Sequence, residues 1–213
     1  DVRGPGRWDC EIVDERDGSY SVTNVAKAAG SYQLDVGLAP MNGPIAGSPF
    51  SITVAPGKPH AAASGPAEQP PAVVRAGAPL KVAVLLRDRH GNDATTTTRG
   101  GGAVVAGTLS GAVGTLRADV KVGKDGGHAV SVTPTVAGDY QLAITLGGAN
   151  VRGSPFAVRV AAARPHAASF ALSGTPPRWP ALEAGAPLSL QLIAKDAHHL
   201  LGMLCLLYTS DAA

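Results

Sequence analysis

The sequence predicts an all-β fold of immunoglobulin-like β-sandwiches in tandem. Three observations carry that expectation. Apolar residues alternate with polar ones along several short stretches, the signature of half-buried antiparallel strands. Among the 213 residues, 27 Gly and 17 Pro punctuate the chain between those stretches, as turns require. The chain also repeats itself, in the same block order, at spacings of 106 or 108 residues.

The repeat fixes the organisation. Ala29-Gly30-Ser31-Tyr32-Gln33-Leu34 returns as Ala137-Gly138-Asp139-Tyr140-Gln141-Leu142. Ile45-Ala46-Gly47-Ser48-Pro49-Phe50 returns as Val151-Arg152-Gly153-Ser154-Pro155-Phe156. Pro59-His60-Ala61-Ala62 returns as Pro165-His166-Ala167-Ala168, and Ala76-Gly77-Ala78-Pro79-Leu80 as Ala184-Gly185-Ala186-Pro187-Leu188. A unit of this length suits one β-sandwich. Residues 1–55 then read as the C-terminal part of one unit, residues 57–160 as a complete unit, and residues 163–204 as the truncated start of a third. The chain begins without Met or a leader and is read as a fragment.

Within the complete unit the strands follow in order. Leu80, Val82, Val84 and Leu86 share one strand face. Leu116, Ala118, Val120 and Val122 share a second, with Thr115, Arg117, Asp119 and Lys121 opposite. Tyr140, Leu142, Ile144 and Leu146 form a third, and Phe156, Val158 and Val160 a fourth. Lys124-Asp125-Gly126-Gly127 and Gly147-Gly148-Ala149-Asn150 read as hairpin turns. Gly138-Asp139-Tyr140 before a strand fits a tyrosine corner, and Gly30-Ser31-Tyr32 repeats it.

Composition excludes other classes. No apolar run reaches the roughly 18 residues of a spanning helix. Eighteen basic residues nearly cancel sixteen acidic ones and form no cluster, which argues against nucleic-acid binding. Two cysteines, Cys10 and Cys205, make no disulfide framework, and no Asn begins a glycosylation sequon.

Catalytic and ligand motifs are expected to be absent. Thr108-Leu109-Ser110-Gly111 lacks the spacing of a hydrolase elbow, and Arg99-Gly100-Gly101-Gly102 lacks the Gly-Lys-Ser/Thr of a phosphate loop. His198 and His199, adjacent on a strand, point to opposite faces. Asp88 and His90 lack further ligands nearby and read as a solvated turn. His60 and His166 hold equivalent linker positions, and Cys10 reads as inert. No cofactor, metal or catalytic residue is assigned.

Taken together, Ala76-Gly77-Ala78-Pro79, Arg87-Asp88-Arg89-His90-Gly91-Asn92, Asp125-Gly126-Gly127, Pro134-Thr135-Val136-Ala137-Gly138-Asp139-Tyr140 and Gly153-Ser154-Pro155-Phe156 resemble the filamin-type immunoglobulin-like repeat (E-set type). Asp17-Gly18-Ser19-Tyr20 is the corresponding hairpin in the first unit. The loop at residues 93–102 exceeds the usual pattern. The resemblance implies a non-enzymatic scaffold segment, spacer and docking module, cytoplasmic and cytoskeletal, with actin reached only through domains outside this chain. It implies protein partners, taken up by β-augmentation beside a strand at residues 103–109 and a following strand at residues 114–120. The candidate edge residues are Val104, Ala106, Thr108, Leu116 and Ala118; Val104, Ala106 and Thr108 alternate with Val105, Gly107 and Leu109. Gly138, Tyr140, Gly153, Ser154, Pro155 and Phe156 are the structural motif. An extracellular, gamete or cell-surface adhesion module and an accessory sandwich of a larger multidomain protein are the competing readings.

From Leu200 the pattern fails. Cys205-Leu206-Leu207-Tyr208-Thr209-Ser210-Asp211-Ala212-Ala213 resembles the translation of a sequencing-library adapter, so residues 205–213 are read as non-native.

Overall fold

The computed structural model describes residues 1–38, 43–94, 104–123, 126–164, 166–169, 171–173, 191–193 and 195–196. The readings placed on Lys124 and Asp125, on the loop at 95–103, on His198 and His199, and on the tail at 205–213 lie outside them.

The N-terminal region holds β1 (Val2–Arg3), β2 (Glu11–Asp14), β3 (Tyr20–Thr23), β4 (Gly30–Leu34), β5 (Gly37–Leu38), β6 (Gly43–Pro44) and β7 (Phe50–Val54). Strands β1, β4 and β7 form one antiparallel sheet, while β2–β3 and β5–β6 are separate hairpins. Gly18, at φ 91°, supplies the left-handed backbone that turns β2 into β3.

The central region is the sandwich. It comprises β8 (Gly65–Pro66), β9 (Val73–Arg75), β10 (Leu80–Leu85), β11 (Val105–Gly111), β12 (Gly114–Arg117), β13 (Asp119–Val122), β14 (His128–Val132), β15 (Gly138–Leu146), β16 (Ala149–Asn150) and β17 (Phe156–Ala161). One sheet runs β13-β14-β10-β8 and the other β12-β11-β15-β17-β9, with β16 paired to β15. Only β9 against β17 is parallel in this pair of sheets. This is an immunoglobulin-like arrangement, two aligned sheets closing one core.

Alternation in sequence becomes burial. Leu80, Val82, Val84 and Leu86 face the core from one side, and Tyr140, Leu142, Ile144 and Leu146 from the other. Val158 and Val160 join them, with Phe156 partly buried at the margin. Leu109, Leu142 and Ile144 are wholly excluded from solvent. Gly147 and Gly148 both take positive φ, 58° and 86°, making the two-residue turn between β15 and β16.

One expected strand divides. The stretch from Thr115 to Val122 was read as a single strand, but it breaks at Ala118. Gly114–Arg117 pairs with β11 in one sheet, whereas Asp119–Val122 pairs with β14 in the other. Its apolar residues therefore do not form one buried face: Ala118 and Val120 pack against the core, whereas Leu116 is 39% and Val122 59% exposed.

C-terminal to the sandwich, the described residues include a 3-10 turn (Ala167–Ser169) and a pairing of β18 (Ala171–Ser173) with β19 (Gln191–Ile193). Among the described residues there is no α-helix, and none long and apolar enough to cross a membrane.

Candidate protein-docking site

The candidate site begins with strand β11. Val105, Gly107 and Leu109 are buried, whereas Val104 and Ala106 are exposed and Thr108 half-buried, as alternation requires. Gly107 sits where β11 passes under β14. A Cβ there would meet Val130 Cγ1 at 2.6 Å and Ala118 Cβ at 2.9 Å, so the close approach of the sheets demands glycine.

The register covers part of the edge expected on β11. Thr108 to Gly111 lie opposite Arg117 to Gly114 in a hairpin, and the Ala118 N–H donates to the Gly107 carbonyl at 2.9 Å. Residues 114–117, expected to belong to the following strand, cover that stretch of β11 themselves. The outermost strand of this sheet is β12, whose four residues are all exposed. Leu116 lies opposite core-facing Leu109, so it sits on the inner side of the sheet at its margin. Ala118 and Val120 pack against the core just beyond. The five candidate residues thus split: Leu116 and Ala118 line a seam between β12 and β13, Ala106 and Thr108 face outward on β11, and Val104 lies exposed just before it.

Two motifs hold this framework. The Tyr140 hydroxyl donates to the Val136 carbonyl at 2.9 Å and closes the corner before β15. Tyr32 does the same to Ala28 at 2.8 Å. In the Gly153-Ser154-Pro155-Phe156 motif, Gly153 takes φ 83° and the Ser154 hydroxyl accepts from the Ile144 N–H at 2.9 Å. Gly47 and Ser48 repeat both features, with φ 85° and an acceptance from Val36 N–H at 3.0 Å. Ser48-Pro49 and Ser154-Pro155 are both cis.

Asp88 is the residue whose role the sequence reading missed. It was read as part of a solvated turn, but it is 2% exposed. Its Oδ1 accepts from the N–H groups of His90 and Asn92 at 2.8 and 3.0 Å. Its Oδ2 accepts from Gly57 N–H and Asn92 Nδ2, both at 2.8 Å. Burial pushes this carboxyl up, but the Asn92 side chain and the Gly57, Asn92 and His90 amides outweigh burial and bring its pKa down to about 2. The signal lay in Asp-x-x-Gly-Asn, where an aspartate accepts from the backbone two residues on. His90 is exposed and brings only its backbone N–H to this carboxylate. Among the described residues no group of His, Cys, Asp and Glu is placed to hold a metal, and Cys10 is an exposed free thiol.

Comparison with known proteins agrees with this geometry. Residues 55–157 match the family model described as the Filamin/ABP280 repeat. Filamin-A of Drosophila melanogaster is 31% identical over 165 residues, covering 75% of this chain and 7% of that protein. Among solved structures, the Escherichia coli adhesin FdeC superposes with a TM-score of 0.58 at 18% identity, over 93% of this chain and 62% of its own. The Lin-41 filamin domain gives a TM-score of 0.41 at 23% identity, over 48% of this chain and 96% of its own.

Proposed function

We propose that the chain, whose residues 55–157 match one filamin repeat, is a non-enzymatic scaffold segment whose tandem units act as spacers and protein-docking modules. The match of residues 55–157 to this repeat, a structural and non-catalytic domain type, carries the reading. The likeness to Drosophila Filamin-A supports a link to the actin cytoskeleton, made outside this chain. The likeness to an adhesin, at 18% identity, speaks to the shared sandwich and not to adhesion.

Docking is proposed at the β12 margin. An outermost strand offers unpaired N–H and C=O groups to an extended peptide, and the seam lined by Leu116 and Ala118 receives its alternate side chains. Val104, Ala106 and Thr108 form the flanking outward surface. The test is titration of a library of extended peptides against the chain and its Leu116→Glu, Ala106→Glu and Thr108→Glu variants. Selected binders should lose at least about tenfold in affinity with Leu116→Glu, and less with the two β11 variants. Unchanged affinity in all three would retire this margin as the docking surface.

A further inference from the structure

The Asp88 turn does more than stabilise its own loop. Asn92 reaches out of the central sandwich to the corner that precedes β4 in the N-terminal region. Its Nδ2 donates to the Lys27 carbonyl at 2.8 Å, and its Oδ1 accepts from the Ala29 N–H at 2.8 Å. The carbonyl between them, Ala28, is already taken by the Tyr32 hydroxyl. Two successive peptide units of this corner, 27–28 and 28–29, are therefore gripped through three polar groups, two held by Asn92 and one by the corner's own tyrosine.

The Asn92 amide is itself fixed. Its second Nδ2 hydrogen goes to Asp88 Oδ2, so both amide donors and one acceptor site are engaged, and the orientation of the group is determined. The same Asp88 oxygen accepts from the Gly57 N–H in the connecting segment. Corner 27–29, Asn92, Asp88 and Gly57 thus form one continuous hydrogen-bonded chain across the joint. Val25 at this joint is 75% exposed, and a cleft of about 530 Å³ lies between Val25, Lys27, Val54, Lys58, His60 and Arg89. The Asn92 hydrogen bonds span the joint between the two units.

We propose that Asn92 is an inter-unit latch, with Asp88 as its positioning residue, that locks the N-terminal and central units into one rigid joint. The Asp88 half of the device recurs: the Ala163 N–H donates to Asp196 Oδ2 at 2.9 Å, one repeat after Gly57 and Asp88. In sequence the position matching Asn92 is Leu200, whose side chain carries no amide. The latch rests on this geometry alone and does not depend on docking at β12.

The test uses the full 213-residue chain, wild type against Asn92→Ala and Asn92→Ser, neither of which reaches the corner. Amide hydrogen exchange and ¹⁵N relaxation are recorded together. The Ala29 amide should exchange at least about tenfold faster in both variants, and the two units should tumble with separate correlation times, while the Gly57 amide and the β10 ladder keep their protection. Unaltered Ala29 protection would overturn the latch. So would joint loss of Gly57 and Ala29 protection in both variants, which would reduce Asn92 to a prop for its own turn.

Discussion

The N-terminal and central regions are built from one template and differ in what surrounds it. Strand β3 corresponds to β14, and Val22 to Val130, one repeat apart. Val130 is 1% exposed, because β14 lies between β13 and β10 and faces the second sheet. Val22 is 52% exposed, because β3 pairs with β2 alone among the described strands. The tyrosine corners do not differ in this way. Tyr32 is as buried as Tyr140, the former covered by Trp8, whose ring centroid lies 4.9 Å away, and by the chain at Gly4. Motifs encoded within a dozen residues form in both regions, whereas burial of a strand face needs a partner far off in sequence.

The comparison can be broken most sharply at matched leucines. Leu142 is fully buried, and Leu142→Ala should cost the central unit about 3 kcal/mol in urea unfolding followed by resolved amide signals. Leu34 holds the same place in β4 but is half-exposed, and Leu34→Ala should cost its unit about 1 kcal/mol. Equal losses would mean that the two regions share one depth of core.

Asp88→Asn comes next. The folded carboxyl lies near 2, below its ordinary 3.8, so its contribution of about 2 kcal/mol is present above pH 4 and is lost as pH falls through 2. At neutral pH the variant should unfold earlier by about that amount, and its acid titration should lack the wild-type loss in that window. A variant with wild-type acid sensitivity would show that other carboxylates govern it.

The smallest effect sharpens the likeness rather than the difference. Tyr140→Phe and Tyr32→Phe each remove one hydroxyl-to-carbonyl bond of nearly equal length, and each should cost about 1 kcal/mol in its own unit. A clearly larger cost at Tyr140 would make the corner dependent on the sandwich around it.

These contrasts explain what could be read in the sequence. The core of the central unit was legible because Leu80 to Leu86 and Tyr140 to Leu146 alternate without interruption. The closing Gly-Ser-Pro-Phe motif and the tyrosine corner were legible as well, since each acts over a few residues and occurs twice. The division of residues 114–122 between two sheets was not, because alternation continues unbroken through Ala118 and carries no mark of a change of sheet. The pairing of residues 114–117 with β11 was hidden for the same reason. Asp88 was misplaced because its burial comes from Gly57 and Asn92, partners set by tertiary packing and not by the spacing of its neighbours.

Residues 57–160 should fold as a self-sufficient sandwich. Urea unfolding of that segment expressed alone tests it most directly. A single cooperative transition, with coincident far-UV circular dichroism and NMR profiles and a slope of about 1–3 kcal/mol per molar, is the predicted result. A broad, probe-dependent loss of signal, or a segment without dispersed amide resonances, would contradict it.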